Sequence, residues 1–186
     1  MPAHDAAPLV AWLAALDRLG PGHELIALGH LAVLVLAMLA ARAARDAADS
    51  PRGWWALAVL HGALALDTLL QLHVPWVQIL RRTALAAGHY EARRGWQLLV
   101  LYAGIALALA ALIWLRRRLR GDWPALAPLV AGSALLVTLE ALRWLSFHGS
   151  DQLLALRIAG LSLGRGLELL GLLLAIGALV RWLQRH

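Results

Sequence analysis

The chain has 186 residues, 61% of them hydrophobic and only 15% charged, where soluble domains keep about a quarter charged. That balance excludes an ordinary soluble domain, and the absence of cysteine excludes disulfides, thiol redox chemistry, iron–sulfur clusters and thiolate metal sites. The net charge of +6 is carried by arginines at the ends of apolar runs, where cations anchor helices, so a lipid bilayer is the expected partner and nucleic acid is not.

Residues 7–19 open with an apolar stripe of Leu9, Val10, Trp12, Leu13 and Leu16 that runs into Asp17 and Arg18. It is too short to span and reads as an interfacial helix, stopped by Gly20-Pro21-Gly22. Crossing the hydrocarbon takes about 20 mainly apolar residues. Five stretches reach that length, at 24–41, 54–73, 95–115, 123–145 and 160–183, and the third carries no charge at all. Between the second and third, residues 77–94 hold His89, Tyr90, Glu91 and Arg93 and read as a surface segment. The expected fold is an all-α integral membrane protein: one transmembrane domain over 1–186, a bundle of about five helices with a short N-terminal interfacial helix.

Trp54, Trp55, Trp76, Trp96, Trp114, Trp123, Trp144 and Trp182 fall near the predicted helix ends, as expected of an aromatic belt. The bias towards Ala, Leu and Arg, with no Lys or Asn, resembles a GC-rich bacterial genome, and the expected location is the inner membrane. With five spans, Arg42, Arg45, Arg52, Arg116–Arg118, Arg120, Arg181 and Arg185 share one side, against Arg18, Arg81, Arg82, Arg93, Arg94 and Arg157 on the other. The richer side is cytoplasmic by the positive-inside rule, which places the N-terminus outside and the C-terminus inside.

Charges within the hydrocarbon cost about 2.5–3.5 kcal/mol each on insertion scales, so each needs a reason. The candidates for a polar pocket are His30, Asp67, Glu140, Arg143, Arg165 and Glu168. At a rise of about 1.5 Å per residue, His30, Asp67 and Glu140 lie roughly 9–12 Å in from His23, His73 and His148, all in the predicted outer leaflet. His61 falls deeper, about 18 Å from His73. Glu140 and Arg143 are three residues apart, as are Arg165 and Glu168, and the two antiparallel helices set Glu140 level with Glu168 and Arg143 level with Arg165. Two readings follow: a four-charge cluster gluing two helices, each carboxylate taking an arginine fork, or a carboxylate pair whose shared proton or bound cation is the point of the site.

His23, His73, His148 and Asp151 gather at one face and form a candidate divalent-metal set. Haem is disfavoured, because neither His30 nor His61 finds a histidine opposite it at its own depth. The run Ser146 to Asp151 has no nucleophile elbow, so Ser150 or Asp151 is expected to cap the next helix rather than catalyse. Gly160 and Gly164 suggest close packing, within the bundle or in a homo-oligomer. The leading expectation is a pocket that binds or conducts a cation, proton or small polar ligand. The alternatives are a non-catalytic scaffold in a membrane complex and a membrane-embedded metalloenzyme.

Overall fold

The computed structural model describes residues 7–17, 20–46, 50–86, 88, 95, 102, 113, 123–145, 148–158 and 160–186. Among them the chain is mostly helical. The order is α1 (Ala7–Leu16), α2 (Pro21–Asp46), α3 (Arg52–Leu70), α4 (His73–Ala86), α5 (Trp123–Leu145), α6 (His148–Ala155), a hairpin of β1 (Arg157–Ile158) and β2 (Leu161–Ser162), and α7 (Leu163–Leu183). Four of the described helices are long and apolar enough to cross a membrane: α2, α3, α5 and α7. The chain is a helical membrane protein. The predicted span at 95–115 lies outside the described residues apart from Gly95, Tyr102 and Ile113.

The spanning helices turn seams inward in which small and polar residues alternate with leucines, Leu126, Leu129, Leu136 and Leu139 being the buried leucines of α5. Along α2 the seam is Ile26, His30, Val33, Ala37, Ala40 and Ala44, stepping by three and four, and along α7 it includes Gly164, Glu168, Gly171, Ala175 and Leu179. Other bulky residues face out, with Leu28 62%, Val59 70% and Leu173 68% exposed. Lipid tails are as apolar as leucine, so helices in a bilayer gain little by hiding leucine and more by close backbone approach and interhelical hydrogen bonds. The tightest approach joins α5 and α7: a Cβ on Gly132 would collide with the Gly171 carbonyl oxygen and lie 3.1 Å from the Ala175 nitrogen. The predicted pair Gly160 and Gly164 does not form one helical patch. Gly160 sits ahead of the helix at φ +83°, in the β1–β2 turn, while Gly164 faces Leu154.

The helix ends differ from expectation at two places that matter for the site. The second span stops at Leu70, not His73: Gln71 takes the left-handed conformation (φ 50°, ψ 43°) and its N–H donates to the Asp67 carbonyl at 2.7 Å. His73 instead opens α4, and its backbone N–H donates to Asp67 Oδ1 at 3.0 Å. Asp67 thus closes one helix through its backbone and caps the next through its side chain. Pro75 fits the first turn of α4, where a missing N–H leaves no bond unmade. The surface segment expected at 77–94 is therefore the later part of a helix over 73–86, followed by residues outside the description except Gly88. The last span begins at Leu163, capped by Ser162, whose Oγ accepts from the Arg165 N–H at 3.4 Å. Ser150 and Asp151 lie within α6 and do not cap that span.

Candidate functional site

Two polar groups share the end of the bundle where α2 and α7 begin and α3 and α5 end. The deeper one lies in the middle of the helices. His30 Nδ1 and His61 Nδ1 are 3.1 Å apart, and His61 Nε2 is 3.3 Å from Ser133 Oγ, joining α2, α3 and α5. His61 is fully buried and His30 and Ser133 nearly so. Two neutral imidazoles and a hydroxyl satisfy this chain in either direction, each ring donating at one nitrogen and accepting at the other. The pairing corrects the expectation that the two histidines lie at different depths. Measured from the true end of α3 at Leu70, His61 is about 13 Å in, close to the roughly 10 Å of His30 from His23.

The shallower group surrounds a cavity of about 90 Å3 lined by His23, Ile26, Thr68, Gln71, His73, Arg143, Arg165 and Glu168. Arg143 bridges two carboxylates on different helices: one nitrogen lies 3.4 Å from Glu140 Oε2 and the other is in ion-pair contact with Glu168 Oε1. The Trp144 indole N–H donates to Glu140 Oε1 at 2.7 Å, so Glu140 is held from two sides. Arg165 departs from the expected pairing. Among the described residues it forms no ion pair, and its guanidinium donates instead to His23 Nδ1 at 3.3 Å, against the start of α2. Gly22 makes room for it there, since a Cβ at that position would lie 2.8 Å from an Arg165 nitrogen.

Beside the cavity, His73 Nδ1 is 2.8 Å from Asp67 Oδ2. One ring nitrogen of His73 and one carboxylate oxygen each of Asp67 and Glu140 lie within 4.8 Å of one another. This convergence draws one member from the candidate metal set and two from the candidate charge cluster. His23 also lines the cavity, whereas the side chains of His148 and Asp151 lie outside the description. His89, Tyr90, Glu91 and Arg93 fall outside the described residues altogether.

A family profile described as a domain of unknown function (DUF8692) matches residues 2–183. The chain belongs to the DUF8692 family. Neither a curated protein nor a solved structure matches it. The chemistry of this DUF8692 chain is therefore argued from its own residues. Thr68, Gln71 and Ser133 also contribute to the two groups and were not singled out by sequence reasoning. Ser133 carried the clearest signal, being a hydroxyl inside the apolar run 125–137. Gln71 gave none, because its role depends on where α3 stops.

Proposed function

We propose that the protein is a multi-pass inner-membrane protein whose cavity, opening at the outer leaflet, binds a small polar ligand through an anionic group. The observation that carries this reading is Arg165, a cation on the cavity wall with no carboxylate partner among the described residues. Arg143 and His23 supply further donors to the same space. A cavity of about 90 Å3 has room for a carboxylate or phosphate group. Binding is favoured over conduction through both leaflets. Beyond His61 and Ser133 the buried residues described are mainly apolar, including Val33, Ala37, Ala40 and Leu179.

Five spans are supported by parity. Arg143 near the end of α5 and His73 at the start of α4 both line the cavity, so α5 begins at the opposite face from His73. The chain therefore passes from one face to the other between His73 and Trp123. At about 1.5 Å per residue, the 14 residues of α4 cover about 21 Å, short of the roughly 30 Å of hydrocarbon. By length and lack of charge the stretch 95–115 is the sequence's candidate for that crossing, and the arginine distribution then favours an outside N-terminus.

The test is thermal unfolding of the detergent-purified protein with inorganic phosphate, acetate or tetramethylammonium at equal ionic strength. An anion at about 100 times its Kd stabilises by about 2.7 kcal/mol, and Arg165→Gln should abolish that gain. Stabilisation by the cation alone, or by neither anion, refutes the reading. A second reading, a scaffold subunit, is favoured by the Arg143 bridge, which ties α5 to α7 whether or not anything binds.

A further inference from the structure

The geometry points to a divalent-metal site formed by Asp67, His73 and Glu140 at the edge of the cavity. Three separate elements, the end of α3, the first residue of α4 and the last turns of α5, bring one imidazole nitrogen and two carboxylate oxygens within 4.8 Å of one another. Ligands about 2.0–2.2 Å from a common ion lie about 3.0–3.6 Å apart, from octahedral to tetrahedral, so this cluster closes on a metal with small side-chain shifts. The 2.8 Å hydrogen bond between His73 Nδ1 and Asp67 Oδ2 would open to that spacing as the ion takes the place of the proton.

Charge supports an ion at this place. Three carboxylates, Asp67, Glu140 and Glu168, stand near two guanidiniums. Of these, Arg143 is engaged with Glu140 and Glu168 and Arg165 is turned towards His23. Asp67 is hydrogen-bonded to the His73 ring and backbone N–H, and its carboxyl also meets that of Glu140. Two adjacent carboxylates in a low-dielectric setting must share a proton or hold a cation between them, and a metal ion satisfies both charges at once. The bland account, in which Asp67 merely caps α4, explains the Oδ1 contact and the orientation of His73. It leaves the convergence of Glu140 on the same point to Arg143 and Trp144 on its own helix and to a proton shared with Asp67, the arrangement that a metal ion would replace.

The donor set selects the ion class. One imidazole with two carboxylates suits zinc, manganese or ferrous iron better than magnesium, which keeps most of its waters and takes oxygen ligands. Three protein ligands leave a position open, as in catalytic rather than structural sites, and His73 lines the cavity. The site does not depend on the anion reading, because its test contains no anion other than chloride.

The full chain, purified in detergent with a tag free of histidine and stripped with chelator, is titrated with Zn2+ and with Mn2+ in phosphate-free buffer, Mg2+ serving as the control. One saturable site per chain is expected for Zn2+ and Mn2+. His73→Gln and Glu140→Gln should each weaken it at least about tenfold, the low end for even an outer-shell partner, and His186→Gln, at the far end of α7, should not. Absence of a saturable site, or affinity unchanged in both ligand variants, overturns the proposal. Should those variants fail to fold, pulsed EPR of Mn2+ on the unaltered chain decides: nitrogen coupling from one imidazole supports the site, and coupling from none or from several overturns it.

Discussion

His61 has the most demanding environment of any described residue in the chain, a polar ring with no solvent exposure at the middle of a spanning helix. Its substitution by leucine strands His30 Nδ1 and Ser133 Oγ together. A buried unsatisfied group costs about 1–3 kcal/mol, while interhelical hydrogen bonds measured in a membrane average about 0.6 kcal/mol. His61→Leu should therefore lower stability by about 1–3 kcal/mol, read as the midpoint of unfolding in mixed micelles of rising sodium dodecyl sulfate content. The double variant with His30→Leu should lose less than the sum of the singles, because the second change removes a group already stranded. Strict additivity would mean the two rings do not interact. Residue identity made this group partly legible: each intramembrane histidine was visible as an anomaly, but their pairing was not. Depth counted from His73 put His61 too far in, and the error traces to the left-handed Gln71 that ends α3 early. Glutamine is not a residue that announces such a turn.

The spanning helices were legible in their length and apolarity, and much less so in which face they bury. A soluble helix betrays its inward face by where its leucines fall. Here leucines fall on both faces, Leu126, Leu136 and Leu179 in the seam and Leu28 and Leu173 outside it, so hydrophobic periodicity carries little signal. The spacing of Glu140, Arg143, Arg165 and Glu168 did carry one, because charges in a membrane must face one another. Only the partition between the two arginines was misread: Arg143 takes both carboxylates and Arg165 crosses to α2. Two predictions belong at this scale. Arg143→Gln leaves Glu168, 4% exposed, without its cation, and breaking such a pair costs about 3–5 kcal/mol. The double variant Arg143→Gln/Glu168→Gln should recover part of that loss in the same unfolding titration, since it removes the more buried of the two carboxylates left without a cation, while Glu140 keeps the Trp144 N–H. No recovery would mean that the arginine acts through packing. Separately, Gly132→Val forces α5 away from the Gly171 carbonyl and should destabilise by about 1–3 kcal/mol, the usual range for overpacking. Gly53→Ala, with nothing within 4 Å of the new Cβ, should change stability by under about 1 kcal/mol. Equal effects at the two glycines would refute the close α5–α7 contact.

At the scale of the whole molecule the unresolved choice is parity, and the composition offers a clean means of deciding it. The chain contains no cysteine, so any single cysteine introduced is the only thiol. Asp17 and Gln184 are exposed just beyond α1 and α7, and neither touches the cavity or the histidine group. With five spans these positions lie on opposite faces, because the chain enters α2 at the cavity face and leaves α7 at the other. With four crossings they would share a face. That would require α5 to begin on the cavity side, whereas Arg143, near its end, lines the same cavity as His73. In intact cells a membrane-impermeant maleimide should therefore label Asp17→Cys directly and Gln184→Cys only after permeabilisation. The reversed pattern would keep five spans but turn the molecule over, placing the cavity at the cytoplasmic leaflet and limiting its ligands to those made inside the cell. Labelling of both positions from the same side would break the parity argument, and with it the assignment of 95–115 as the remaining span. The outcome also constrains the ligand. On the proposed inner-membrane reading, an outward cavity would meet an anion or a metal ion at periplasmic and not cytoplasmic concentration, so orientation decides which ions belong in the binding experiments.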